Sequence, residues 1–206
     1  MKVLLINGSP HEKGCTYTAL SLIAGELKAQ GIETEILHVG GQPVGGCIGC
    51  GGCRSGNGCV FGGVVNEAIE KAKTADAFVF GSPVHYASAA GNMTSFMDRL
   101  AYAGGKYLAY KPAAICCSAR RAGTTTTLDQ LVKYPEFFHM PLVSGSYWPM
   151  VHGSTPEQVL QDEEGCAVMR ELGRNMAWLL RCIEAGKAAG ISHPENPRRP
   201  MTNFIR

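Results

Sequence analysis

The chain has 206 residues, a length suited to one large domain. Hydrophobic residues at 45% and charged residues at 17% exclude a disordered tail protein and a coiled coil. The formal charge of +2 gives no field to hold a phosphate backbone or an anionic lipid surface, so neither nucleic acid nor membrane is an expected partner. No apolar run reaches the roughly 20 residues that span a bilayer, and the N-terminus has no basic n-region with a cleavage site, so the expected location is cytoplasmic. Nine cysteines exceed what packing requires in such a chain, and reducing surroundings disfavour disulfides; a close cluster of them points to metal or redox chemistry.

Taken in chain order, Lys2 to Asn7 (KVLLIN) is a short apolar run closed by Gly8-Ser9-Pro10, as expected of a strand buried on both faces. Leu20, Ile23, Ala24 and Leu27 then recur at helical spacing over Thr16 to Gln30, with Gly31 as the stop. Thr34 to Val39 reads as a second strand, 64–74 as a helix and Asp76 to Gly81 as a third strand. Met93, Phe96, Met97 and Leu100 mark a helix over Gly91 to Tyr102; Ala113 to Cys117 is a fourth strand, Thr127 to Tyr134 a helix and His139 to Ser144 the expected fifth strand. A terminal helix over Asp162 to Ala189 carries Val168, Met169, Leu172, Met176, Leu179, Leu180 and Ile183 on one face, and Pro194, Pro197 and Pro200 end it. Strands alternating with helices predict an α/β protein with a doubly wound, five-stranded parallel sheet and helices on both faces. The expected division is one domain over 1–193, with a cysteine-rich loop at 45–60 after strand two, and a C-terminal extension over 194–206 serving as an exposed or subunit-contact arm.

In such sheets ligands bind beyond the carboxyl ends of the strands, so the loops after strands one, three and four carry the argument. Gly8 to Thr18 runs from strand to helix, and helix N-terminal amides with the Ser9, Thr16 and Thr18 hydroxyls would hold a phosphate; ordinary N-capping by Thr16 is the alternative. The loop is neither GxxxxGK[ST] nor GxGxxG, which argues against NTPase and Rossmann dinucleotide sites. Gly81 to Gly91 sets small residues beside His85 and Tyr86 and can lie along a planar ring. Ser118 to Thr127 offers amides, hydroxyls, Arg120 and Arg121, against the alternative of solvated arginines and capping threonines. Tyr147 and Trp148, with Met150 and His152, would cover a ring or substrate at this sheet end, or serve packing or a dimer contact.

The strongest signal is Cys47, Cys50, Cys53 and Cys59, spaced C-x2-C-x2-C-x5-C among glycines. The compact triplet suits three corners of a [4Fe-4S] cube with Cys59 returning as the fourth ligand. Zinc prefers two separated pairs, and free or reversibly oxidised thiols complete the alternatives. Arg54 would offset cluster charge or simply be solvated. Cys116 and Cys117 in a strand, and Cys166 and Cys182 on the last helix, read as packing residues.

The GSP loop at Gly8 and the GSPVHY loop at Gly81 together resemble the flavodoxin-like NAD(P)H-dependent FMN reductases, and the cysteine motif after strand two resembles their iron-sulfur flavoprotein branch. Cys15 and His85 depart from the asparagine and tyrosine often found there. The resemblance implies FMN, with Ser9, His11, Gly14, Cys15 and Thr16 around its phosphate. It places Pro83, Val84, His85, Tyr86 and Ser88 along the ribityl chain and ring, and Arg120, Gly123 and Thr124 at the ring border. It also implies Cys47, Cys50, Cys53 and Cys59 as cluster ligands, NAD(P)H as donor and a homodimer or homotetramer. No side chain need then be acid, base or nucleophile, because the flavin carries the chemistry. The implied activity moves electrons to a small acceptor such as a quinone, a nitro or azo compound, or a flavin. The alternatives are an electron-transfer protein serving partners such as ferredoxin, and a dehydrogenase of a chorismate-derived acid in which Arg120 and Arg121 hold carboxylates.

Overall fold

The computed structural model describes residues 1–195 and Thr202, so most of the expected extension, with Pro197 and Pro200, lies outside the described residues. In chain order, β1 (Lys2–Asn7), α1 (Cys15–Ala29), β2 (Glu33–His38), α2 (Val64–Thr74), β3 (Ala77–His85), β4 (Ser88–Ala89) and α3 (Gly91–Gly104) form the first half. The second half is β5 (Ala113–Ala119), α4 (Thr124–Phe137), β6 (Met150–His152), the short α5 (Pro156–Val159) and α6 (Glu163–Ala188). The sheet order is β2-β1-β3-β5-β6, all pairs parallel, with β4 folded back antiparallel on the end of β3. The expected doubly wound sheet is therefore present, and its order reverses between β1 and β3, where the strand ends open a crevice.

Side-chain alternation divides the interior into two cores. Leu4 and Ile6, Phe78 and Phe80, and Ile115 and Cys117 point to a core shared with α2, α3 and α4. Val3 and Leu5, Val79, and Ala114 and Cys116 point to a second core closed by α1 and α6. Strands covered on both faces need continuous apolar runs, which is why KVLLIN and AFVF carry no polar alternation. Cys116, Cys117 and Cys166 are buried as packing residues, and burial pushes the Cys117 thiol up to about 12. Cys182 departs from the expectation: it is exposed, four residues after the exposed Trp178 on the outer face of α6.

The fifth strand is corrected. Leu142, within the expected 139–144 segment, makes only an isolated parallel bridge to Ala113, and the sheet edge is completed by Met150–His152 against Cys117 to Ala119. Pro141 O accepts from Ala113 N and Val143 N donates to Ala113 O, after which the pairing stops; Pro149 O accepts from Cys117 N but has no amide with which to extend the Met150–His152 pairing back along β5. The excursion between these two pairings places Tyr147 and Trp148 in the lining of an apolar hollow of about 530 Å³ with Leu128, Val132 and Leu142.

Candidate functional site

The first loop is shaped by Asn7, a fully buried polar residue at the end of β1. Its Nδ2 donates to Glu12 O at 3.0 Å, and its Oδ1 accepts from Ser9 N at 3.1 Å. Ser9 Oγ in turn accepts from His11 N at 3.1 Å, and the His38 ring lies 2.8 Å from Ser9 O. These contacts curl Gly8 to Gly14 over the start of α1. That helix has Gly14 as its N-cap with no side chain bonded to its free amides, leaving donors and the positive end of the helix dipole for an anion. Thr16 does not cap α1: its buried hydroxyl pairs with Ser118 Oγ at 2.8 Å and fastens the first loop to the end of β5. The Cys15 thiol donates to Gly153 O at 3.5 Å just past β6, and burial raises its pKa, so the group beside the open amides stays neutral.

The loop after β3 is a two-residue hairpin in which Tyr86 (φ 48) and Ala87 (φ 60) are both left-handed, a strained turn that leaves Tyr86 fully exposed. Gly123, the N-cap of α4 at φ 94, packs on this turn; a Cβ there would lie 2.5 Å from Ala87 Cα and 2.8 Å from Val84 Cγ1. No threonine of this loop caps α4, whose N-cap is Gly123, and the Thr127 hydroxyl donates back to Gly123 O at 2.9 Å. The loops after β3 and β5 are thus locked together where the crevice opens.

Ser9, His11, Cys15, Thr16, Pro83, Val84, His85 and Arg120 line one hollow of about 150 Å³ together with Ser118 and Gly153. It adjoins a second of about 440 Å³, which shares Val84, Ala119 and Arg120 and adds Tyr86, Ala87 and Arg121. Gly14, Gly123 and Thr124 stand behind these as helix starts. Ser88 is turned away: its hydroxyl donates to Gln130 Oε1 at 2.6 Å, and Gln130 also accepts from Ala89 N. Asn7, His38 and Gln130 escape the sequence reading. Only Asn7 leaves a trace there, as an amide ending an otherwise apolar strand.

Cys47, Cys50, Cys53 and Cys59 all line one further hollow of about 310 Å³. Gly49, Gly51, Gly56 and Gly58 sit at left-handed φ between 65 and 85, which lets the backbone curl around this space. Asn66 anchors the far end, its Oδ1 accepting from Cys59 N at 2.8 Å and its Nδ2 donating to Cys59 O at 3.0 Å. Among the described residues, no three His, Cys, Asp or Glu side chains converge closely enough to hold a metal ion. The thiols therefore share a hollow without forming a closed ligand set. The hollow also contains Arg99 of α3, which sequence inspection passed over.

The family described as NADPH-dependent FMN reductase matches residues 1–155, a span that contains all of these loops. The chain belongs to that family, in its iron-sulfur flavoprotein branch. An iron-sulfur flavoprotein of Archaeoglobus fulgidus is 31% identical over 196 residues, covering 91% of this chain and 96% of its own. One from Methanocaldococcus jannaschii is 29% identical over 193 residues, covering 89% of this chain and 100% of its own. Among solved structures, RosB with a bound 8-demethyl-8-formylriboflavin-5'-phosphate intermediate superposes with TM-score 0.70 at 14% identity over 100% of this chain and 95% of that one. An archaeal flavodoxin gives 0.61 at 13% identity over 88% of this chain and 99% of that one. These structures share the flavodoxin-like fold. Among the described residues no helix is long and apolar enough to cross a membrane.

Proposed function

We propose that this flavodoxin-like reductase binds FMN in the crevice formed by the loops after β1, β3 and β5. In this reading it takes electrons from NAD(P)H or a reduced carrier and delivers them to a small acceptor. The observation that carries the proposal is the meeting of those three loops in two adjoining hollows with the uncapped start of α1 at one end. The residues present fit such a cofactor. A phosphate is matched by free helix amides, the Ser9 hydroxyl and a neutral Cys15 thiol; the wider hollow, beside Tyr86 and Arg120, suits a planar ring. When bound, FMN supplies reversible one- and two-electron chemistry.

The side chains then bind, orient and shield. Ser9, His11 and Thr16 hold the phosphate end, with Thr16 and Ser118 keeping the two loops in register. The hairpin at Tyr86 and Ala87 and the start of α4 border the ring, and Arg120 adds positive charge at that border. Cys47, Cys50, Cys53 and Cys59 would hold an iron-sulfur cluster, whose donor set of four thiols in one hollow suits that group. Ferredoxin is the partner class this implies, and a homodimer or homotetramer would bring one subunit's cluster loop towards another's flavin.

The test is an absorption spectrum of anaerobically purified protein with iron, acid-labile sulfide and released flavin assayed on the same sample. Flavin with about four iron and four sulfide per chain is the expected result. Flavin without iron after anaerobic reconstitution would remove the cluster from the proposal, and absence of flavin would overturn the crevice assignment. Steady-state turnover with NAD(P)H against reduction by ferredoxin then separates an enzyme from an electron relay.

A further inference from the structure

Arg99 lies in α3 directly after Asp98, and the residue is only 6% exposed. Its neighbours are unusual for a buried cation. Nε donates to Cys59 Sγ at 3.2 Å, one terminal nitrogen to Gly62 O at 3.1 Å and the other to Gly45 O at 3.4 Å. The Phe61 ring covers it at 5.4 Å from the centroid. Among the described residues no carboxylate lies within ion-pairing distance of it. Burying a charge without a counter-charge is costly, and guanidinium does not escape the cost by losing its proton. The counter-charge is expected in the space the guanidinium faces, which is the hollow lined by the four cysteines.

We infer that Arg99 is the positioning and charge-compensating residue of the cysteine site. Its fork ties the two ends of the loop, at Gly45 and Gly62, to α3 and aims Cys59 into the hollow, while its charge offsets an anionic iron-sulfur cluster there and favours the reduced state. The inference rests on the cluster proposal above. The physical basis is that hydrogen bonds to the sulfurs and nearby charge are two of the terms that set a cluster's potential. Reduction adds one electron to an already negative group, so a fixed positive charge beside one ligand sulfur stabilises the product more than the reactant. Arg54, also in the lining, is exposed to water and screened, which leaves Arg99 as the buried cation of the hollow.

The experiment compares the full chain with Arg99→Gln and Arg99→Lys, each reconstituted anaerobically with ferrous iron and sulfide. Iron, sulfide and FMN are assayed, and the cluster is followed by absorbance and electron paramagnetic resonance during a redox titration. Arg99→Gln is expected to hold about tenfold less reduced cluster at a fixed ambient potential, a shift of about 59 mV for a one-electron couple. Arg99→Lys keeps the charge without the planar fork, so its potential should stay close to the wild-type value while a chelator strips its iron faster. A glutamine variant with wild-type potential, or a lysine variant shifted as far as the glutamine one, overturns the charge assignment. A lysine variant that resists the chelator like the wild type overturns the positioning role. If Arg99→Gln does not fold, the lysine variant still decides, because an unchanged potential supports the charge role and a shifted one refutes it. Wild-type protein that takes up flavin but no iron fails the cluster proposal itself, a result distinct from any of these.

Discussion

The strand-end crevice and the cysteine hollow sit on the same molecule but are held in different ways. The crevice is built at the ends of β1, β3 and β5; Asn7 and Ser9 brace its first loop internally, and Thr16 bonds that loop to Ser118 at the end of β5. The cysteine loop has a single 3-10 turn at Gly52–Ser55, exposed Cys47 and Cys50, and side-chain anchors at Asn66 and Arg99 on Cys59. The first site is organised by the sheet and needs its ligand only to fill it. The second relies on glycine conformations and two anchors, so in the cluster proposal metal-ligand bonds supply the remaining order.

The sharpest way to break this comparison is Cys50→Ala. It should remove more than about nine-tenths of the bound iron and sulfide while leaving flavin content unchanged, because a cluster held by thiolates does not survive loss of a ligand in a loop with so few other ties. Iron and a cluster spectrum retained in this variant would count against the ligand set. Gly123→Ala strikes the crevice instead. The added methyl meets Ala87 and Val84 from a left-handed backbone position, so a stability loss of about 1–3 kcal/mol and weaker FMN binding are expected from chemical denaturation and flavin titration. Unchanged affinity there would show that the hairpin does not border the ring.

A smaller effect is expected for the Ser9→Ala, Thr16→Ala double variant. In the FMN proposal, losing the Ser9 hydroxyl assigned to the phosphate and the Thr16 hydroxyl that joins the loops should weaken FMN binding by about tenfold or more, at about 1.5–3 kcal/mol per charge-assisted hydrogen bond. Undiminished affinity by fluorescence titration would displace the phosphate from the first loop.

The smallest effect tests the frame rather than either site. Lys2 and Lys71 bond to Glu35 at 2.8 and 2.6 Å and hold its carboxyl below the ordinary value. A carboxyl depressed in the folded state contributes stability above its unfolded pKa and loses it as pH falls through the lower folded value. Glu35→Gln should therefore destabilise slightly at neutral pH, with the difference from wild type vanishing in acid. A difference that persists at low pH would assign the effect to packing rather than to charge.

Much of this was legible in the chain. The apolar run before Gly8-Ser9-Pro10 marked β1, and the run over Asp76 to Gly81 marked the first part of β3, which continues through Gly81-Ser82-Pro83 to His85; helical spacing marked α1, α3 and α6, and the cysteine spacing marked one loop as chemical. The missed fifth strand shows where periodicity fails. HMPLVS has the composition of a strand, but it makes only one bridge to β5, and the sheet takes its edge from Met150–His152, three residues with no strand signature alone. Tyr147 and Trp148 read either as a cover for the crevice or as packing or a dimer contact; they line an apolar hollow separate from the crevice.

The sequence by itself determined the doubly wound sheet, the three strand-end loops and the identity of the four thiols, because apolar periodicity, turn residues and cysteine spacing are local properties. Tertiary structure decided which groups meet. Thr16 reaches Ser118 across 102 positions, Arg99 reaches Cys59 across 40, and Cys15 reaches Gly153 across 138. Such pairings depend on sheet order and helix placement. A buried arginine in particular looks like any surface charge until the fold places it beside a thiol and out of ion-pairing distance of the described carboxylates.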